Sequence, residues 1–344
     1  MKYIYLIISI FLYIGCAKDI KIKLNDSVVQ FSSFPSTDTL KFVAISNQLL
    51  EEPSKMLLQG DKMIIETFCK AKDKHIAIYS LPENRIVNEI IKYGEGPDEM
   101  LSCDIDMVNN KLWLYDISKK RIGFIPIDSL LLDTPNIIQH KTNAHYYNTA
   151  MLNDSIMLGT NDMSKDSKIA YVNINTNSVT SRGKYAYLDQ SIALEALIDA
   201  SSCYINVNPA TKDILLSYRY TDMIEIYNSE GEIKYALQGP KCFDIEFQAV
   251  KAKGHSRMAK TQKTRKAYVN SYVTKNAIYL LFSGCKRNEK DWANGTEIHV
   301  FSWDGEPKKQ YVLKEPIYTF AIDEDKRVIY SYSLQTEELL KAML

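Results

Sequence analysis

Asp104 and Asp106 are the residues whose type and spacing come closest to doing chemistry. In an extended strand, positions i and i+2 share a face, so both carboxylates would point the same way. Such a pair could hold a divalent cation or divide acid and base work. Asp323, followed by Glu324 and Asp325, is a third acid that could join them from the end of another strand. The competing reading is turn chemistry, because aspartates satisfy the backbone of tight turns. Little else supports a catalytic centre. The five histidines (75, 140, 145, 255 and 299) form no His-Glu-x-x-His or comparable spacing. No Gly-x-Ser-x-Gly elbow is present for a serine nucleophile. The expectation is therefore no catalytic residue, no cofactor and no metal, with Asp104, Asp106 and Asp323 as the alternative set.

A second motif, Gly94-Glu-Gly-Pro-Asp-Glu99, combines glycines with carboxylates. A phosphate cradle would need a helix starting right behind the loop, with free N–H groups, and Pro97 removes one of them. Gly94, Gly96, Pro97 and Glu99 are accordingly expected to form a rigid turn between strands. A third feature is the basic run Lys251, Lys253, Arg257, Lys260, Lys263, Arg265 and Lys266, which contains His255 and no acid. Lys253, Arg257, Lys260 and Arg265 are candidate contacts for an anionic partner such as an acidic glycan, a phospholipid headgroup or lipopolysaccharide. The run holds no aromatic residue to stack bases, so nucleic acid is not expected. A solvated surface excursion is the competing reading.

The N-terminus carries an address. Met1-Lys2 is followed by an uncharged apolar run from Tyr3 to Ile14, too short for a transmembrane helix, which needs about 20 residues. It suits the apolar core of a secretory signal. Gly15-Cys16, at the point where the run stops and charge begins, resembles a bacterial lipoprotein cleavage site. Residues 1–15 are expected as a signal peptide, with lipid on Cys16 and 16–32 as a polar tether. The other cysteines, Cys69, Cys103, Cys203, Cys242 and Cys285, form no C-x-x-C pair and match no zinc spacing. Most are expected as small buried apolar residues.

These residues must be positioned by strands. The chain has 344 residues, 42 Lys+Arg against 42 Asp+Glu, 46% hydrophobic residues and 23 tyrosines. The balanced charge gives no global pull towards nucleic acid or an anionic membrane, and the apolar share is too high for disorder. Abundant tyrosine among β-branched residues favours a pleated surface. One unit recurs: a polar turn, then a short apolar strand. It reads Gly60-Asp-Lys-Met-Ile-Ile-Glu-Thr, Asn109-Asn-Lys-Leu-Trp-Leu-Tyr-Asp, Asn153-Asp-Ser-Ile-Met-Leu-Gly-Thr, Thr211-Lys-Asp-Ile-Leu-Leu-Ser-Tyr, Thr274-Lys-Asn-Ala-Ile-Tyr-Leu-Leu-Phe and Glu324-Asp-Lys-Arg-Val-Ile-Tyr-Ser-Tyr. A second strand follows each of the first five, as in Met223-Ile-Glu-Ile-Tyr and Glu297-Ile-His-Val-Phe, and further apolar stretches flank them. Four strands in roughly 45–60 residues is the size of a propeller blade.

The expected fold is all-β: a six-bladed β-propeller of four-stranded antiparallel blades over residues 33–344. The last copy is one strand short. The stretch Thr39-Leu-Lys-Phe-Val-Ala-Ile is expected to complete it and close the ring. Short helical pieces are expected at 189–200, near 243–252 and at the C-terminus.

Ile278-Tyr-Leu-Leu-Phe-Ser-Gly284, Ile298-His-Val-Phe-Ser-Trp-Asp-Gly-Glu-Pro307, Ala321-Ile-Asp-Glu-Asp325 and the Gly94–Glu99 turn resemble the TolB-like six-bladed propeller lipoproteins of Bacteroidota. The resemblance covers nearly the whole mature chain and implies a fold and an envelope location, not an activity. The functional expectation is an outer-membrane lipoprotein, facing the periplasm or the cell surface, that binds a protein or glycan partner without catalysis. It touches the membrane through its lipid alone. The alternative is a propeller hydrolase or lyase acting on a sugar or lactone, with acids in the central funnel.

Overall fold

The computed structural model describes residues 19–344, except 26, 47–50, 52, 68–72, 144, 163–165 and 186–191. Cys16 and Cys69 lie outside the described residues. Four short strands come first: β1 (Asp19–Ile22), β2 (Val29–Gln30), β3 (Thr37–Leu40) and β4 (Val43–Ser46). Blade 1 is β5 (Pro53–Gln59), β6 (Lys62–Thr67), β7 (Lys74–Ser80) and β8 (Arg85–Lys92). Blade 2 is β9 (Asp104–Val108), β10 (Lys111–Asp116), β11 (Arg121–Pro126) and β12 (Ile138–Lys141). Blade 3 is β13 (Thr149–Met151), β14 (Ile156–Thr160), β15 (Ile169–Asn173) and β16 (Val179–Arg182), and helix α1 (Leu194–Ala200) follows. Blade 4 is β17 (Cys203–Val207), β18 (Ile214–Tyr218), β19 (Met223–Tyr227) and β20 (Ile233–Gln238). A hairpin, β21 (Ile245–Ala252) and β22 (His255–Ala259), precedes blade 5, which is β23 (Tyr268–Val273), β24 (Ala277–Phe282), β25 (Gly295–Ser302) and β26 (Pro307–Ile317). Blade 6 contains β27 (Phe320–Asp323), β28 (Val328–Ser333) and β29 (Glu338–Met343).

Blade 2 shows why these segments are strands. Asn109 and Asn110 both have positive φ, 44° and 60°, as a two-residue hairpin with the native twist requires. The returning β10, Lys111-Leu-Trp-Leu-Tyr-Asp, is buried at every residue after Lys111. A middle strand covered on both faces reads as a continuous apolar run rather than an alternating one. That run is the signal the six repeats share.

The ring is closed by β4, which pairs antiparallel with β29 and gives blade 6 its fourth strand. Six apolar clusters lie between successive blades. One joins Met63 and Tyr79 of blade 1 to Tyr330 and Leu339 of blade 6 across the closure. The others fill the interfaces of blades 1 and 2, 2 and 3, 3 and 4, 4 and 5, and 5 and 6. Each blade thus buries both faces against neighbours, which an isolated four-stranded sheet could not do.

Three expectations need correction. The stretch 243–252 is strand, because Ile245 and Phe247 alternate inward and are fully buried. The C-terminal stretch is also strand, although Glu, Leu, Lys, Ala and Met are good helix formers; its ladders with β28 and β4 override that local preference. The described part of the expected tether is built into the fold. There β1 pairs with β21, and β2 adds a parallel fifth strand to blade 4, as β3 does to blade 5. Helix does form at Leu194–Ala200, with Ala196, Leu197, Ile198 and Ala200 buried. Among the described residues no helix is long and apolar enough to cross a membrane. Cys103, Cys203, Cys242 and Cys285 are free thiols, the first two buried.

Candidate functional site

The innermost strands β5, β9, β13, β17, β23 and β27 neighbour one another in order and surround an axial channel. Two adjoining cavities of about 260 and 270 Å³ share Lys55, Asn206, Asn270 and Ser271 in their walls. Asp104 and Asp106 line them as the strand period requires. Ile105 between them is fully buried in the core of blades 1 and 2.

Both aspartates meet a cation that comes from the neighbouring blade. The Lys55 Nζ, on β5, lies 3.4 Å from Asp104 Oδ1 and 3.7 Å from Asp106 Oδ2. The Thr149 hydroxyl donates to Asp104 Oδ2 at 3.1 Å, and the Met107 N–H donates to Asp106 Oδ1 at 2.7 Å. Burial opposes the Lys55 charge, but Asp104, Asp106 and Glu66 outweigh it and hold its pKa above the ordinary lysine range. Burial pushes the Asp106 carboxyl up against the pull of Lys55. The Glu66 carboxyl rises further, to about 8, through burial and then the negative charge of Asp104. The cluster therefore holds one cation among three acids, and burial with the neighbouring negative charge favours the protonated form of Glu66.

Asp323 is not part of this cluster. It closes its own hairpin, accepting from the Lys326 N–H and the Lys326 ammonium, each at 2.9 Å. Among the described residues no group of three or more His, Cys, Asp or Glu side chains is arranged to hold a metal ion.

At one end of the channel the wall is formed by Tyr147, Asn148, Tyr204, Asn270 and Tyr318. Tyr147 is 73% exposed and Tyr318 is 37% exposed, so this mouth presents aromatic surface to solvent. Tyr204 is fixed by its hydroxyl, which donates to the Val269 carbonyl at 2.6 Å.

The Gly94–Glu99 turn is a crossing between blades 1 and 2. The Lys119 ammonium donates to the carbonyls of Gly96 at 2.7 Å, Glu99 at 2.8 Å and Gly94 at 3.5 Å. Arg121 and Gln139 both donate to the Pro97 carbonyl. The Glu99 carboxylate accepts the Gly96 N–H at 2.8 Å, and a Cβ on Gly94 would stand 2.2 Å from it. Glycine is needed there for close approach, and the loop's carbonyls rather than its N–H groups face the cation. Lys119→Met is expected to lower stability by about 1.5–3 kcal/mol, since charge-assisted bonds to three half-buried loop carbonyls are lost. Equilibrium urea unfolding measures it, and an unchanged midpoint would show the clamp to be idle.

The basic run is dispersed. It forms the β21–β22 hairpin, whose exposed tip carries Lys253 at φ 52° before Gly254 at φ 84°. The hairpin sits on α1, where Glu195 accepts from His255 and the Ser256 N–H, and Asp199 accepts from the Met258 N–H. Arg257 lies beside Glu195. Arg265 stacks on Phe243 and donates to the Gly284 carbonyl. Of the four candidates only Lys260 joins a further cation group, with Lys266 and Arg219. Lys55, Glu66 and Arg219 were not found from the sequence. Laying the six repeats over one another marks Lys55, Asp104 and Thr149 as inner-strand positions, which is the signal that could have found the axial group.

The ring of six blades and its N-terminal closure match a known architecture, and the TolB-like 6-blade propeller-like family model covers residues 31–325. The chain belongs to this TolB-like family. Solved structures that share its fold include two from Bacteroides. One is a member of the DUF4221 family from Bacteroides vulgatus ATCC 8482, at TM-score 0.55 and 11% identity, with 95% of this chain and 96% of that one covered. The other is a protein from Bacteroides fragilis NCTC 9343, described as exported, at TM-score 0.57 and 11% identity, with 92% and 99% covered. No curated protein matches the sequence. Family membership supplies the scaffold, and any function must be read from the channel and the surface of this TolB-like propeller.

Proposed function

We propose that the chain is an envelope lipoprotein, held to the outer membrane by lipid on Cys16 and facing the periplasm or the cell surface. Its propeller acts as a non-enzymatic binding or scaffold module for a protein or glycan partner. The partner docks at the channel mouth formed by Tyr147, Asn148, Tyr204 and Tyr318. The observation that carries this reading is the aromatic and amide mouth of the channel. Below it Lys55, Thr149 and the Met107 N–H engage Asp104 and Asp106 within the wall. What remains open to a visitor is aromatic and amide surface on a rigid ring, which suits recognition.

The test is a crosslinked affinity purification of the tagged, lipidated protein from its native envelope, beside a Tyr147→Ala/Tyr318→Ala variant. A stoichiometric partner is expected with the parent chain, and at least about a tenfold loss with the variant, since exposed aromatic anchors dominate contact energy. Equal recovery from both would move the contact away from the mouth and overturn the reading.

One observation favours the alternative of a hydrolase or lyase. Glu66, with its carboxyl raised to about 8, is a proton donor beside the axial cavity. Turnover of a sugar or lactone that is abolished by Glu66→Gln would establish that alternative.

A further inference from the structure

Two lysines from different elements share one pair of aromatic rings. The Lys260 ammonium, just beyond β22, lies 5.6 Å from the Tyr220 ring and 5.4 Å from the Trp292 ring. The Lys266 ammonium, just before β23, lies 5.4 and 5.1 Å from the same two rings. Arg219, next to Tyr220 in sequence, stacks on Tyr204 at 5.4 Å, and its backbone carbonyl accepts the Ala267 N–H at 2.8 Å. Three cations are thereby gathered between blades 4 and 5 under the edge of the β21–β22 hairpin.

Among the described residues no carboxylate pairs with any of the three side chains. Lys266 is only 5% exposed; its ammonium keeps a contact with solvent and meets no hydrogen-bond acceptor or carboxylate among the described residues. The groups acting on its charge are Arg219 and Lys260, both repulsive, besides burial. The Arg219 Nε and the Trp292 Nε1 are also buried without partners. Unmatched buried donors are costly, and a crowded lysine sheds its proton rather than stay charged, so this arrangement gains from an anion that matches the donors and restores the charge. The cation–π contacts offset part of the cost while still leaving the N–H groups free.

We propose that Arg219, Lys260 and Lys266, with the indole N–H of Trp292, form a binding site for a sulfate or phosphate ester group. A tetrahedral oxyanion accepts several N–H donors at once, which matches two ammoniums, a guanidinium and an indole. A membrane surface does not fit, because a headgroup plane cannot reach a lysine that is 95% covered by protein. Lys260 is exposed, and it is the side from which an ester on a sugar or other small molecule would enter. Neither lysine lines the axial cavities, although Arg219 reaches towards the channel mouth through its contact with Tyr204.

Protonation follows from the same arrangement. Burial, then Arg219 and Lys260, lower the Lys266 pKa to about 6 in the empty site. The groups facing it from the β18–β19 turn, the segment after β22 and the 283–294 loop are Arg219, Tyr220, Lys260 and Trp292, none of them acidic. An anion restores the charged form, so binding takes up a proton above that pH and weakens as pH rises. Sulfate, which does not itself titrate in this range, is the cleaner probe.

The experiment is thermal unfolding of the full mature chain in sodium sulfate against sodium chloride at equal ionic strength, followed by calorimetric titration with a sugar sulfate and a sugar phosphate. Sulfate is expected to raise Tm more than chloride does, and the gain is expected to shrink between about pH 6 and pH 8. Lys260→Ala, at an exposed position, is expected to weaken binding about tenfold, as loss of one charge-assisted bond implies. Lys266→Met is expected to fold with an unchanged or higher Tm in chloride and to lose the sulfate gain. No difference between sulfate and chloride for the parent chain would overturn the proposal. So would a gain retained in both variants, which would place the anion elsewhere. The relative affinities of the two sugar esters then assign the ester class.

Discussion

Glu225→Ala is expected to destabilise the propeller by about 3–5 kcal/mol, the cost of stranding a buried charge. Glu225 sits in the middle of blade 4 and is fully buried. Its two carboxylate oxygens lie 2.7 and 2.8 Å from the ammonium of Lys168, which reaches across from blade 3 and is itself buried. The hydroxyls of Tyr218 and Tyr227 each donate to it at 2.7 Å, and the Asn25 amide donates at 3.3 Å. Removing the acid leaves Lys168 charged in an apolar interface between two blades. The joint variant Lys168→Met/Glu225→Gln removes both charges and keeps an acceptor for the tyrosines. It should recover about half of the loss or more. Urea unfolding of Lys168→Met, Glu225→Gln and the joint variant beside the parent closes the cycle, and equal stability of all four proteins would show the pair to be inert.

The same group sets an acid limit. Burial would raise the Glu225 carboxyl, but Lys168 and the two tyrosines prevail and hold it below the ordinary glutamate value. A carboxyl depressed in the folded state contributes stability that is complete above its unfolded pKa, about 4.3, and is lost as pH falls through the folded value. The parent protein should therefore lose stability more steeply below that pH than the double variant does.

A chain that begins at Glu51 is expected not to fold cooperatively. It lacks β4, so blade 6 ends on an unpaired β29 where Val43, Ala44 and Ser46 should pair with Lys341, Leu340 and Leu339. The same deletion removes β3 from blade 5, β2 from blade 4 and β1 from the small sheet with β21 and β22. It also extracts Phe34 and Leu40, which are buried between blades 4 and 5 and blades 5 and 6, and Ile22 and Leu24, which are buried in the cluster of blades 3 and 4. Four such side chains at about 1.5–3 kcal/mol each amount to about 6–12 kcal/mol. That is comparable to the whole stability of a domain, about 5–15 kcal/mol. Broad, non-cooperative melting with dye-accessible apolar surface is the expected result, and a 19–46 peptide added in trans should restore part of the transition. A sharp melt at the parent temperature would mean that the ring does not depend on its N-terminal strands.

The strands that were legible are the ones buried on both sides. Leu112-Trp-Leu-Tyr, Ile214-Leu-Leu-Ser-Tyr and Ile278-Tyr-Leu-Leu-Phe are apolar runs bounded by turn residues, and all became middle strands of blades. The segments that misled are those whose state depends on a partner far along the chain. Glu338-Leu-Leu-Lys-Ala-Met343 has helical composition, and only its ladder with β28 and with β4, nearly three hundred residues earlier, makes it a strand. Residues 19–30 are polar enough to read as a tether, and only the exposed edges of β20 and β21 give them something to pair with.

For the sites, the sequence by itself determined that Asp104 and Asp106 share a face, because a strand has period two whatever surrounds it. It also determined the repeat, and through the repeat the number of blades. Only the tertiary structure decided what those acids meet. Lys55 is 49 residues from Asp104 and in another blade, so their contact exists only once the ring has closed. The same holds for Lys266, Arg219 and Trp292, whose burial without a partner is a property of three elements packed together. Periodicity is local and survives in one dimension, whereas charge pairing and desolvation depend on which surfaces the closed ring presses against one another.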